Sequence, residues 1–179
     1  NMLTKYGYDM TSFASPLKNF AVSIGFTKLQ IYGTQKQKQE INSFYGISGR
    51  EFMQKFGTDI CRNGLKNKIP NMKLNNMSLW PRVMEGKLRK YKNLVIPDGR
   101  FVDEAQLVRE YGGIVVRISR VHNVYSANQE TDNHESELEM DNIKHDIIIV
   151  NDGTLDELEV KVDGIMGHIK SINYSDPLL

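Results

Sequence analysis

Apolar residues along the chain follow two patterns, one typical of amphipathic helices and one typical of short strands. Helical spacing marks residues 16–24, 48–62, 77–91, 103–111 and 154–169. Short stretches with strand character mark residues 8–14, 94–97, 114–118 and 145–150. Because the strands alternate with helices and the last three are rich in apolar residues, the pattern predicts an α/β fold in which helices cover a parallel sheet of buried strands.

Capping boxes mark the starts of two of these helices, because a hydroxyl side chain precedes a glutamate by three residues. Ser48 with Glu51 and Thr154 with Glu157 have this spacing. The stripe predicted to be buried after the first box is Phe52, Phe56 and Ile60. Both boxes therefore predict where a helix begins.

The helix at 77–91 is predicted to bury one face and to expose a basic one. The predicted buried stripe is Trp80, Val83, Met84, Leu88 and Tyr91. The predicted exposed residues are Arg82, Lys87, Arg89 and Lys90. The segment at 34–46 has little periodicity and is predicted to be a loop or a solvated helix, and residues 63–76 are predicted to be an irregular connection.

Bulk composition narrows the class of protein. A length of 179 residues and a hydrophobic fraction of 40% suit one domain over residues 1–179. Lys and Arg total 23 against 22 for Asp and Glu, so net charge indicates no acidic or basic partner.

Cys61 has no partner for an internal disulfide, which fits a reducing compartment. No apolar run approaches the ~20 residues of a membrane helix, and the first residues have no secretory or transit pattern, so a cytoplasmic protein is predicted.

Polar side chains follow three of the predicted strands. These residues are Asp98 with Arg100, Arg120, and Asn151. In open parallel sheets, ligands bind beyond the carboxyl ends of the strands, so these side chains are expected to converge. A carboxylate beside a guanidinium suits a phosphorylated, hydroxylated ligand. An ion pair that only ends the strand explains Asp98 and Arg100 equally well.

Two arginines and a glutamine lie on the helix predicted at 48–62. Arg50 stands near its start, Gln54 one turn later and Arg62 at its end. Arginine binds phosphate through two parallel donors, and glutamine can bind a base edge. From the residues alone, solvated positions on the helix surface are the preferred explanation.

Residues 121–141 are polar and acidic, and they contain His134, Ser136 and Glu137. A metal site is the alternative, but hard-cation loops need a fixed ligand spacing and a turn glycine that this segment lacks. A solvated acidic loop with one or two functional contacts is preferred, and no metal site is predicted.

The basic stretch at 62–92 raises the alternative of nucleic-acid binding. Its aromatic residues, Trp80 and Tyr91, both fall on the predicted apolar face. A core stripe beneath a basic solvent face is the commoner explanation, so nucleic-acid binding is the weaker alternative.

Six segments occur in a fixed order along nearly the whole chain. They are SFASPLK, SGREFMQKFGTDICR, a tryptophan-containing helix, LVIPDGRFVDEAQLVREYGGIVVRISR, HESE and NDGTLDEL. In this order they resemble the deoxynucleoside monophosphate kinase family of phages and large DNA viruses. The resemblance implies a P-loop kinase fold and transfer of the γ-phosphoryl group of ATP to a dNMP, giving a dNDP, with Mg²⁺ carried on the nucleotide phosphates. For a viral protein, it implies the host cytoplasm.

The resemblance also implies roles on the acceptor side of the reaction. Arg50 and Arg62 would hold the acceptor phosphate, with Gln54 and Trp80 near the base or sugar.

On the transfer and ATP side, Asp98 and Arg100 would stand at the phosphate-transfer crevice, and Arg120 would begin a lid over about 121–141. The residues implied on the ATP side are His134, Ser136, Glu137, Asn151 and Thr154. Residues 151–154 would form a turn near the adenine, with helix capping as their first role.

One departure from the family pattern bears on activity. Family members begin with a strand and a Gly-rich loop that ends in Lys and Ser or Thr, and residues 1–179 contain no such segment. Ser15 also stands where the family usually shows Asp. Little or no turnover is therefore predicted. A truncated chain and a kinase relic that binds nucleotide without transferring phosphate both stay open, and a homodimer would be ordinary for this family type.

Overall fold

The computed structural model describes residues 2–120 and 139–175. The chain divides into two compact units, an N-terminal unit of Tyr8–Gly99 and a C-terminal unit of Asn1–Gly7 with Arg100–Leu179. Both units combine helices with a short parallel strand pair, so the predicted mixture of helices and parallel strands is confirmed. The described strands form three separate two-stranded sheets instead of the single sheet predicted. A single domain over residues 1–179 stays a prediction.

The N-terminal unit contains ten short elements and one π-helical segment, here called the π segment. Its strands are β1 (Asp9–Met10), β2 (Ile41–Asn42), β3 (Ile47–Ser48) and β4 (Leu94–Val95). Its helices are α1 (Ser15–Ser23), α2 (Lys28–Tyr32), α3 (Gln35–Gln39), α4 (Gly49–Gln54), the π segment (Lys55–Gly64), α5 (Leu65–Lys68) and α6 (Leu79–Leu88).

Strands β1 and β4 form a parallel pair, with Asp9 opposite Leu94 and Met10 opposite Val95. One further backbone bond extends the pair, from Thr11 N to Val95 O (2.9 Å). Because the strands are parallel, their carboxyl ends lie at the same edge. The chain enters α1 from that edge.

The core of the N-terminal unit forms around Ala21, Phe26 and Ile31, which are at most 3% exposed. Phe52 packs against this cluster, and its ring lies 4.8 Å from that of Phe26. The first half of the predicted 48–62 helix therefore packs its aromatic face against the core, where Phe52 is half-buried.

The segment predicted to be a loop or a solvated helix contains both α3 and a hairpin. Helix α3 has no buried residue and begins with a capping box of Thr34 and Gln37, so the solvated-helix alternative is confirmed there. The antiparallel β2–β3 hairpin was not predicted. Its turn depends on Asn42, whose Oδ1 accepts from Phe44 N (3.0 Å) and Tyr45 N (3.2 Å), a local side-chain turn that apolar periodicity does not reveal.

Ser48 caps α4 as predicted, since its Oγ accepts from Glu51 N at 3.1 Å. The helix then changes to π geometry and continues into α5, past the predicted end at residue 62. The burial predicted for Ile60 was wrong, because its side chain is 52% exposed. Hydrogen bonds in a π-helix join residues five apart, so the 3.6-residue period behind that prediction no longer applies.

Gly57 in the π segment lies directly against α1. A Cβ atom at this position would lie 2.4 Å from Leu17 Cδ2, and Leu17 is 5% exposed and cannot swing away. We expect Gly57→Ala to lower the free energy of unfolding by about 1–2 kcal/mol, since the cost of overpacking exceeds the gain in helix propensity. Gly86→Ala in α6 is the matched control for denaturant unfolding, because its Cβ meets no atom within 4 Å. Equal stability of the two variants would contradict this packing.

Helix α6 buries only part of the predicted stripe, because Met84 is buried as predicted but two residues outside the stripe are buried beside it. Pro81, Met84 and Glu85 are buried, whereas Val83 is 39% exposed and Tyr91 is 53% exposed. The difference arises because Glu85 has arginine partners on its own helix, which compensate for burying its carboxylate. A pattern of apolar residues alone does not reveal a buried ion pair.

The C-terminal unit joins a 3₁₀ turn (Thr4–Tyr6) to the second half of the chain. Its elements are α7 (Val102–Glu110), β5 (Val116–Arg120), β6 (Ile147–Asn151) and α8 (Leu155–Ser175). Lys5 in the turn bonds Glu159 (2.6 Å) and Asp163 (2.8 Å) of α8. Among the described residues, no helix is both long and apolar enough to span a bilayer.

Strands β5 and β6 are parallel over five residue pairs, from Val116 opposite Ile147 to Arg120 opposite Asn151. The prediction that both strands are buried was wrong, since Ile118 is 57% exposed and Ile148 is 62% exposed. Burying both faces of parallel strands requires helices on both sides, and in the described part of the unit α8 packs on β6.

Asp146 connects the end of α7 to the start of β5. Its Oδ2 accepts from Val115 N at 2.7 Å, and Arg109 Nε donates to its Oδ1 at 3.3 Å. The Val115 N–H, and after it Arg109, lower the pKa of this carboxyl below 3.8. A lowered carboxyl pKa stabilises the folded chain at pH values above the pKa that the group has in the unfolded chain. This stabilisation is lost as the pH falls through the pKa that the group has in the folded chain.

We therefore expect Asp146→Asn to cost less than about 1 kcal/mol near pH 7, because the pair is partly solvated. The difference from the wild-type chain should shrink as pH falls below about 4. Urea unfolding of both proteins over this pH range measures it. A difference that does not change with pH would contradict the assigned role of the charge.

Candidate functional site

The carboxyl edge of the β1–β4 pair is organised by Asp98. Its carboxylate accepts three hydrogen bonds, from Ser12 Oγ (2.7 Å), Phe13 N (3.0 Å) and Ala14 N (3.0 Å). These bonds fix the loop that leads from β1 into α1. Asp98 therefore fixes this loop at the edge where a ligand was predicted to bind, and its role in catalysis stays a prediction.

Lys87 reaches the same edge from α6. Its Nζ donates to Thr11 Oγ1 at 2.8 Å, and the residue is half-buried. The prediction that Lys87 lies on the exposed face was wrong, because its long side chain bonds a residue 76 positions earlier. No sequence signal identifies a contact of that separation.

A buried carboxylate on α6 holds two arginines. The Glu85 side chain is 7% exposed, and it pairs with Arg82 and, at 2.6 Å, with Arg89. Arg82 had also been predicted to be exposed, but its side chain is 33% exposed because of this pair. Arg82 and Arg89 therefore share one carboxylate partner within the unit.

The residues predicted to bind the acceptor lie on α4, the π segment and α6. Trp80 Nε1 donates to Gly57 O at 2.9 Å, which ties α6 to the π segment between Gln54 and Arg62. Arg62 is half-buried and its Nε atom is buried. Arg50 Nη1 donates to Gln35 Oε1 of α3 at 3.0 Å. The N-terminal unit thus contains all four residues. Trp80 is bonded to the π segment, and Arg62 lies in that same segment.

Arg100 belongs to the C-terminal unit and lies just before α7. Its backbone N donates to Glu104 Oε2 at 2.9 Å, and Glu104 is 3% exposed. This carboxylate also accepts from Phe101 N at 3.3 Å, so it caps the start of the helix. Glu104 was not predicted as a functional or structural residue, although it lies in the DGRFVDEA segment.

Arg120 and Asn151 are brought side by side at the carboxyl end of the β5–β6 pair, as predicted from their positions after strands. Asn151 Oδ1 is buried and has no hydrogen-bond partner among the described residues. The capping role of Thr154 is confirmed, because Thr154 N donates to Glu157 Oε2 (2.6 Å) and Glu157 N donates to Thr154 Oγ1 (3.3 Å). The Thr154 N–H lowers the pKa of Glu157.

His134, Ser136 and Glu137, together with most of the predicted lid, lie outside the described residues. Within residues 2–120 and 139–175, no group of three or more His, Cys, Asp and Glu side chains is arranged to hold a metal ion.

Comparison with known proteins gives a consistent result. The family described as deoxynucleotide monophosphate kinase matches residues 5–162. A putative deoxynucleotide monophosphate kinase of Acanthamoeba polyphaga mimivirus is 31% identical over 179 aligned residues, which cover 96% of this chain and 90% of the relative. The deoxynucleotide monophosphate kinase of Escherichia phage RB69 is 29% identical over 143 residues, covering 79% of this chain and 54% of the phage protein. No solved structure matches the chain. The family match covers most of the sequence, and the chain therefore belongs to the deoxynucleotide monophosphate kinase family.

Proposed function

We propose that this chain, a deoxynucleotide monophosphate kinase by family, takes ATP with Mg²⁺ as its phosphoryl donor and binds its acceptor dNMP on the N-terminal unit. The observation that supports this placement most strongly is the polar edge of the β1–β4 pair. There Asp98 fixes the loop into α1 through three hydrogen bonds. Ligands of open α/β sheets bind at such carboxyl edges. A P-loop kinase fold is part of the proposal.

Phosphoryl transfer requires little covalent chemistry from the protein. Catalysis depends on positioning the reacting groups and on stabilising the charge of the transition state. Arg50 and Arg62 would bind the acceptor phosphate, because guanidinium groups contact phosphate oxygens in pairs. Gln54 and Trp80 would lie near the base or sugar. The anchoring of Trp80 to Gly57 supports this, since it holds the indole against the segment that ends near Arg62.

The donor side of the proposal involves the C-terminal unit. Arg100 and Arg120 would stabilise charge on the transferred group, and the residues proposed for the ATP side are His134, Ser136, Glu137, Asn151 and Thr154. The buried Oδ1 of Asn151 supports a ligand contact there, because a buried acceptor without a donor is costly. Mg²⁺ would arrive on the nucleotide phosphates as part of the substrate.

Two alternatives give different experimental outcomes. The first alternative is nucleotide binding with little phosphoryl transfer, which stays a prediction. Nucleic-acid binding by residues 62–92 is less well supported, because Arg82 and Arg89 are paired with Glu85. A homodimer and a cytoplasmic location stay predictions.

A coupled assay of ADP release tests the proposed reaction. The polypeptide of residues 1–179 is assayed with MgATP and each of the four dNMPs, with the matching ribonucleotides as controls. We expect dNMP-dependent ADP release well below the roughly 1–100 s⁻¹ typical of kinases. A rate within that range would contradict the predicted impairment. Binding of a dNMP without any ADP release would support the nucleotide-binding alternative.

A further inference from the structure

Lys87 differs from the lysines that follow it along the chain. Lys90 and Lys92 are exposed, whereas Lys87 is half-buried and its Nζ lies 2.8 Å from Thr11 Oγ1. Holding a long, flexible side chain in this way costs conformational entropy. The cost suggests a role beyond covering the surface of α6.

Thr11 is itself held in place on both sides. Its backbone N bonds Val95 O, which keeps it in register with β4. The next residue, Ser12, bonds Asp98. The ammonium group of Lys87 is therefore fixed at the carboxyl edge of a parallel strand pair, beside a loop that cannot easily shift.

The contact that holds Lys87 leaves its charge without a counterion. Among the described residues, the partner of Nζ is the neutral Thr11 hydroxyl, and no carboxylate pairs with it. A partly buried charge is unfavourable unless an opposite charge accompanies it. An ammonium group has three donors, of which Thr11 accepts one, and the Thr11 hydroxyl keeps its own donor. An anion placed at this edge would accept hydrogen bonds from both groups.

We propose that Lys87 and Thr11 bind a phosphate oxygen of the nucleotide, with Lys87 as the cation and Thr11 holding the ammonium in place. Lysine binds phosphate as a point charge and needs no planar partner. The proposal rests on the proposed function, since it names a residue pair of the same carboxyl edge. The phosphate belongs either to the acceptor dNMP or to ATP, and the experiment separates these two sources.

The test is calorimetric titration of the 179-residue chain with a dNMP, with ATP and with the corresponding deoxynucleoside. We expect Lys87→Gln to weaken binding of one phosphorylated ligand by about tenfold or more, equivalent to about 1.4 kcal/mol. Binding of the deoxynucleoside should not change. The ligand that loses affinity identifies the phosphate. Thr11→Val should give a smaller loss for the same ligand.

Two variants act as controls. Lys90→Gln removes an exposed lysine two residues beyond the end of the same helix, and this variant should bind both ligands as the wild-type chain does. Lys87→Arg keeps the charge and the fold, so it should retain part of the phosphate affinity. If the wild-type chain binds dNMP or ATP and Lys87→Gln binds each ligand with wild-type affinity, the assignment of Lys87 is overturned. The proposed function is then unaffected. If the wild-type chain binds neither ligand, the proposed function fails together with this assignment.

Discussion

Asp98→Asn is expected to lower the free energy of unfolding by about 3 kcal/mol, almost as much as Asp98→Ala. The carboxylate accepts from Ser12 and Ala14 on one oxygen and from Phe13 on the other. An asparagine amide replaces one of these oxygens with a donor, which then faces a backbone N–H in either orientation. Chemical denaturation of the three proteins measures the effect, and turnover should fall with stability.

The same experiment separates a positioning role for Asp98 from a chemical one. If the carboxylate acted on substrate and did not hold the loop, Asp98→Asn would remain as stable as the wild-type chain and lose only activity. Asp9→Asn is the control, because Asp9 lies on β1 of the same pair with an exposed side chain, and it should change stability by less than about 0.5 kcal/mol. Retained stability in Asp98→Asn would contradict the account of the loop.

Arg62→Lys is expected to weaken dNMP binding about thirtyfold, or about 2 kcal/mol, with a much smaller effect on unfolding. Lysine keeps the positive charge but loses the two parallel donors with which a guanidinium binds phosphate. The variant should bind the deoxynucleoside as the wild-type chain does. Titration calorimetry with both ligands measures the difference.

Lys66→Gln is the control for Arg62, because Lys66 is exposed on α5, one turn beyond it. Its affinity for dNMP should not change. Wild-type affinity in Arg62→Lys, or an equal loss for the nucleotide and the deoxynucleoside, would remove Arg62 from the phosphate site.

Local signals predicted the starts of helices well. Ser48 and Thr154 both cap helices as their spacing indicated, because a capping box depends only on residues three apart. The same locality explains why α7 appears where its apolar spacing placed it. The order of the longer helices and of the parallel strands was also readable from periodicity, whereas the β2–β3 hairpin was not.

Other features of the fold could not be predicted, because they depend on contacts between residues that are distant in the sequence. The π segment shifts Ile60 to the surface, and Trp80 is bonded to the carbonyl of Gly57 within that segment. Neither the change of helical period nor the bond is encoded in spacing. Glu85 was missed for a similar reason, since its burial depends on ion pairs and not on hydrophobicity.

The candidate site shows the same division. Asp98 was predicted from its position after a strand, but its three bonds to the 12–14 loop are visible only in three dimensions. Lys87 was misplaced because its partner, Thr11, lies 76 residues away. Residues such as Arg50 and Gln54 were recognised through family resemblance, and their roles stay predictions.

Binding of deoxynucleoside monophosphates to the 179-residue chain is the most direct test of the central claim. Calorimetric titration with each dNMP and with its deoxynucleoside measures how much affinity the phosphate contributes. We expect saturable binding of at least one dNMP and clearly weaker binding of the matching deoxynucleoside. Absence of saturable binding for all four dNMPs would contradict an acceptor site on the N-terminal unit.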